Sequence, residues 1–156
     1  MGFNNRWTAL PLRLIVGYGF TAHGFAKLAR GAHVFAGILH AIGVPGPEFM
    51  AWLTILVEII GGLAIFVGAF VRFFSVPMGI VLITAILSVH LPYGFSSIKL
   101  IAVSARGAQF GPPGYECDLL YLACLAALVL NGSGPLAIDG LFQRQARIKE
   151  AAIQVA

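Results

Sequence analysis

FMAWLTILVEIIGGLAIFVGAFVRFFSVPMGIVLITAILSVHL, residues 49–91, carries Glu58, Arg72 and His90 as its only ionisable side chains. About 30 Å of hydrocarbon at 1.5 Å per helical residue asks for about 20 apolar residues. Residues 49–70 and 73–91 each meet that length, and Val71 and Arg72 leave almost no loop between them, so this stretch reads as a tight hairpin of two membrane spans. Working towards the N-terminus, Ile-Gly-Val-Pro-Gly-Pro at 42–47 stops any helix, and before it lies a third apolar window, residues 7–28. That window is too long for a signal peptide and carries Arg13, His23 and Lys27, so it is expected to stay in the protein as a span.

Towards the C-terminus, residues 92–114 hold Gly94-Phe95-Ser96-Ser97 and Gly111-Pro112-Pro113-Gly114, too long for a simple turn and too apolar around 98–103 for a solvated one. This segment is expected to lie on or dip into the membrane interface. The apolar run 119–130 covers only about 18 Å and must extend back through Tyr115, Glu116, Cys117 and Asp118, giving a fourth span over about 115–132. The expected architecture is all-α: an integral membrane four-helix bundle over residues 1–141, followed by a basic tail, amphipathic or disordered, over 142–156. Composition agrees. Hydrophobic residues make up 59%, charged residues 10%, and mean hydropathy is +0.91, whereas a soluble domain carries about 25% charged residues. Twelve phenylalanines and non-periodic glycines exclude disorder and collagen.

The formal charge of +4 speaks to topology and anionic lipid rather than to nucleic acid. Arg6, Arg72, Arg144, Arg147 and Lys149 fall on the side of the termini, against Lys27, Arg30, Lys99 and Arg106 opposite, so both termini are expected in the cytoplasm. In the tail, Leu141, Ile148 and Ala152 share one helical face.

Ionisable groups inside a membrane are the strongest functional signal, because each costs several kcal/mol in hydrocarbon unless paired or watered. At 100° per residue, Arg13, His23 and Lys27 share an arc of about 80° on the first window, which should face other helices. Glu58 sits beside Gly61 and Gly62, which let a neighbouring backbone approach. Glu58 lies about 14 Å, His23 about 8 Å and Arg13 about 22 Å below the outer ends, so Arg13 reaching outward is expected to pair with Glu58. His90 closes the third window and Glu116 opens the fourth, at the level of His23 and Lys27. A structural ion pair and a functional site are both comfortable readings of Glu58, while Arg13, Lys27 and Arg72 could snorkel and the histidines could bond loop carbonyls. No helix offers a Glu-x-x-His or His-x-x-x-His pair, so no metal site is expected. Cys117 and Cys124 share a face but stand about 10 Å apart along a helix, too far for a disulfide, and read as packing residues. The spacings His23 to Glu48 and His90 to Glu116 hint at an internal repeat, though coincidence explains them as readily.

Arg13-Leu14, Gly17, Phe20, His23-Gly24 and Lys27-Leu28 are followed by Gly43-Val44-Pro45, Pro47, Glu58, Gly61-Gly62-Leu63, Gly68, Arg72 and His90. Gly114-Tyr115-Glu116 and Gly134-Pro135-Leu136 with Asp139 close the series. In this order the chain resembles the DoxX family of small four-helix membrane proteins, departing from its simplest members in the longer 94–113 segment and in Cys117-Asp118. The resemblance implies a multi-pass protein of the bacterial cytoplasmic membrane, similar to the small subunit of thiosulfate:quinone oxidoreductase or to members of thiol and oxidative-stress complexes. On that reading His23, Glu58 and His90 line a site for a quinone, ubiquinone or menaquinone, with Arg13, Lys27 and Glu116 helping to hold it. No flavin, haem or iron–sulfur fingerprint is present, so electrons would come from a partner redox protein or the substrate. The alternatives are a scaffold or assembly factor recruiting soluble enzymes, or a small transporter, and the expected partner is a redox protein or a second copy in a homo-oligomer.

Overall fold

The computed structural model describes residues 5–141; the tail expected over 142–156 lies outside them. A 3-10 turn (Asn5–Thr8) leads into α1 (Ala9–Arg30). Gly31, at φ 99°, then turns the chain sharply into α2 (Ala32–Ala41), a short helix. Pro47 at the first helical position, where its missing N–H costs nothing, starts α3 (Pro47–Leu56). A π-helical turn (Val57–Gly61) joins α3 to α4 (Gly62–Val67), and the three run as one helical column. Gly68 at φ 74° and Phe70 at φ 49° make the turn into α5 (Val71–Ala85), which continues through a second π-helical turn (Ile86–His90) and a 3-10 turn (Leu91–Tyr93). The last long helix is α6 (Glu116–Asn131).

Two of the four expected spans form helices long and apolar enough to cross a membrane: Pro47–Val67, 21 residues at mean hydropathy 2.2, and Val71–Tyr93, 23 residues at 2.0. α1 matches them in length, but Arg13, His23 and Lys27 dilute its hydropathy; α6, at 16 residues, rises about 24 Å. The chain is mostly helical but not all-α, which corrects the sequence expectation. Between α5 and α6, β1 (Leu100–Ser104) and β2 (Gly107–Phe110) pair as an antiparallel hairpin. β-branched Ile101 and Val103 favour a pleated strand, and Gly107 takes the turn at φ 110°.

Val16 and Phe20 of α1, Ile65 of α4, Val71 and Met78 of α5, and Leu125 and Leu128 of α6 form the core. Large apolar side chains such as Ile15, Trp52, Phe73, Ile80 and Leu120 stay exposed on every long helix, an outer surface suited to lipid. α2 packs on α3 through Ala36, Leu39 and Ala51, at the end of the bundle that also carries the β-hairpin.

Glycine sets the spacing of α1 against the second column. A Cβ on Gly17 would stand 2.7 Å from the Gly62 carbonyl oxygen and from Phe66, and one on Gly24 would stand 3.0 Å from the Glu58 Cβ. Gly61, expected to share this role with Gly62, instead faces Phe74 and Met78 of α5, so the glycine pair serves two different neighbours. Gly17→Val should force α1 off α4 and cost roughly 1–3 kcal/mol, read as a fall in detergent melting temperature. Gly37→Ala, with nothing within 4 Å, should leave it unchanged or higher.

Candidate functional site

Glu58 projects from the first π-helical turn and is 4% exposed. A π-helical turn inserts one residue into the helical register and so re-aims a side chain that a regular helix would place elsewhere. Its Oε1 is paired with Lys27 Nζ, one turn from the end of α1. The Lys27 ammonium also lies 4.8 Å from the centre of the Phe35 ring, so α2 covers the pair from above. Glu58 Oε2 is buried and has no hydrogen-bond partner among the described residues.

The second π-helical turn carries a second acid–base pair. His90 Nδ1 lies 2.5 Å from Asp118 Oδ2 in the first turn of α6, and Asp118 is 8% exposed. The sequence offers Asp118 only as part of the polar start of the fourth span, yet Asp118 and the buried Leu125 stand seven residues apart, on one helical face. That spacing was the available signal for a buried acid. Glu116, two residues earlier, points elsewhere: its carboxylate accepts the Ser97 N–H at 3.0 Å and pins the base of the β-hairpin.

The expected Arg13–Glu58 pair is not formed. Arg13 is 1% exposed, and its guanidinium donates to the carbonyls of Ser133 (2.6 Å), Pro135 (3.1 Å), Leu136 (3.0 Å) and Phe66 (3.4 Å) at the opposite end of the bundle. The physical reason is the direction of the side chain. Cα–Cβ bonds in a helix tilt towards its N-terminus, so in α1 Arg13 is aimed away from Glu58 while Lys27 is aimed towards it. Glu58 and Asp118 run on helices of the opposite direction and tilt towards Lys27 and His90. His23, one turn before Lys27, is exposed and makes no hydrogen bond or ion pair among the described residues. The structure therefore brings Lys27 to Glu58 and Asp118 to His90, and takes Arg13 out of the site.

Cys117 is exposed and Cys124 half-buried, and both are free thiols. With Ile15, Leu120 and Tyr121 they line an apolar surface groove of about 170 Å³ between α1 and α6. A second groove, bordered by Arg72, Ser133 and Asp139, opens at the Arg13 end. Neither groove is lined by His23, Glu58 or His90.

A helical membrane protein with two acid–base pairs whose acids are buried, each pair anchored on a π-helical turn, is the class these observations define. The chain belongs to the DoxX family, whose model matches residues 8–91. That stretch includes Lys27, Glu58 and His90, and ends before the β-hairpin and Asp118. The chain is 34% identical over 130 residues to "Putative oxidoreductase CatD" of Bacillus subtilis, covering 83% of each chain. It is 29% identical over 143 residues to an uncharacterized membrane protein of Mycobacterium tuberculosis, covering 89% of this chain and 83% of that one. An uncharacterized protein of Haemophilus influenzae is 30% identical over 133 residues, 84% of this chain and 87% of its own. No solved structure matches the chain.

Proposed function

We propose that this protein is the membrane subunit of a quinone-linked oxidoreductase. It crosses the bacterial cytoplasmic membrane four times as a helix bundle with both termini in the cytoplasm, and a partner redox protein supplies its electrons. The observation that carries this reading is the Glu58 carboxylate, buried with one oxygen on Lys27 and the other unpartnered. A group held this way has a free site for a donor or for a proton, as a quinone site beside apolar side chains requires. The name of the Bacillus subtilis relative points to the same reaction class.

A bound quinone accepts two electrons and two protons in becoming quinol. Lys27 offers its ammonium as a hydrogen-bond donor to a ring oxygen, Glu58 passes a proton through its free oxygen, and exposed His23 exchanges that proton with water. His90 and Asp118 form a second proton-carrying couple. Arg13 and Glu116, committed to backbone groups, serve the fold.

The test is binding of a ubiquinone or menaquinone analogue to the protein in lipid nanodiscs. Glu58→Gln should weaken binding by about 1–3 kcal/mol, roughly 5–150-fold, for a lost buried hydrogen bond, whereas His23→Phe, at an exposed position that only relays protons to water, should bind and melt like the parent. Unchanged affinity in the Glu58→Gln variant would transfer the role to a non-catalytic scaffold.

A further inference from the structure

Every residue of β1 and β2 is exposed. The register of the hairpin nevertheless sorts its side chains. Leu100 pairs with Phe110, Ala102 with Gln109, Val103 with Ala108 and Ser104 with Gly107, with a bulge between Leu100 and Ala102 that leaves Ile101 as the extra residue. Because faces alternate along a strand, the bulge puts Leu100, Phe110, Val103 and Ala108 on one face and Ala102, Gln109 and Ser104 on the other. Without it Leu100 would share the polar side with Ala102. The apolar face is bare: Leu100, Val103 and Phe110 are 58%, 73% and 60% exposed.

Two physical demands fix what covers that face. The side chains call for an apolar medium, while a two-stranded sheet has two open edges whose N–H and C=O groups need water or headgroups, which excludes the hydrocarbon interior. The headgroup boundary of a bilayer satisfies both. The hairpin is held at that level, since Tyr93 and Tyr115 flank it, Phe95 and Tyr115 meet edge to face at 5.8 Å, and Glu116 fixes Ser97. Charge selects the lipid. Residues 91–115 contain Lys99 and Arg106 and no Asp or Glu, complementary to anionic headgroups. We propose that the hairpin is a lipid-docking element that lies with its Leu100/Val103/Phe110 face in the headgroup boundary of an anionic bilayer, with Lys99 and Arg106 on its phosphates. This site does not depend on the quinone reading.

The experiment uses the full chain, with Trp7 and Trp52 changed to Phe, in nanodiscs containing phosphatidylglycerol and lipids brominated either near the glycerol or near the chain ends. Val103→Trp should emit at shorter wavelength and lose more than half its emission to the shallow bromine. Ser104→Trp, on the other face, should lose little and be quenched by aqueous iodide. Replacing phosphatidylglycerol with phosphatidylcholine, or adding K99Q and R106Q, should reduce the Val103→Trp quenching. Equal quenching at the two positions, a water-like Val103→Trp spectrum, or a blue-shifted spectrum that no bromine quenches would each overturn the proposal, the last by showing a protein cover. Insensitivity to phosphatidylglycerol would remove the anionic assignment with it.

Discussion

Lys27→Met should lower the stability of the protein by about 3–5 kcal/mol, the cost of leaving a buried carboxylate without its countercharge. The substitution keeps the apolar stem and removes only the ammonium, so the loss does not come from a cavity. Glu58 cannot turn to water, because it is 4% exposed and its Cβ is held against Gly24. The change also removes the cation from the Phe35 ring, a smaller contribution of about 1 kcal/mol. The double change Lys27→Met, Glu58→Gln should recover more than half of the loss, since no uncompensated charge then remains, and the coupling is read from a double-mutant cycle of detergent melting. Effects that simply add would mean that the pair contributes nothing as a pair. The same cycle with Arg13 in place of Lys27 should be close to additive, because Arg13 makes its bonds at the other end of the bundle.

What could be read in the sequence follows from what length and hydropathy determine. The second and third windows, with few charges, match Pro47–Val67 and Val71–Tyr93 to within three residues at each end. Glu58 stood out because an acid deep in an apolar run must be held by something. Its partner was misread because depth along the helices was weighed and side-chain direction was not. Arg13 lies within reach of Glu58 only if it points against the tilt of its own helix, and carbonyls at 133–136 lay nearer. The π-helical turns have no sequence signature, since a register insertion depends on how neighbouring helices pack. They carry Glu58 and His90 where these meet Lys27 and Asp118. The β-hairpin was hidden for a different reason: 98–103 is as apolar as a helical segment, and only the pairing with 107–110 and the bulge separate its two faces.

Arg13→Ala should be the most disruptive change away from the acid–base pairs, on the order of 4 kcal/mol, because it removes a buried guanidinium whose charge-assisted bonds tie the carbonyls of Phe66, Ser133, Pro135 and Leu136 together. The consequence travels. Arg13 holds the segment after α6 in a conformation with Gly134 at φ 68° and Leu136 at φ 52°, strain that a non-glycine residue bears only when its surroundings fix it. That segment presents Asp139, whose N–H donates to the Gly68 carbonyl at 3.0 Å and whose carboxylate accepts the N–H groups of Phe70 and Val71 at 2.8 and 3.3 Å. Asp139 thus caps the N-terminus of α5 from a distant part of the chain. Without Arg13 the segment should lift away, the Phe70 and Val71 amides should exchange with deuterium much faster, and the turn between α4 and α5 should fray. Arg13→Lys should rescue less than half of the loss, since one ammonium cannot reproduce a planar fork that serves several carbonyls. If Arg13 acts through this segment, Arg13→Ala with Asp139→Ala should cost little more than Arg13→Ala alone, whereas additive losses would show that the cap holds without the arginine.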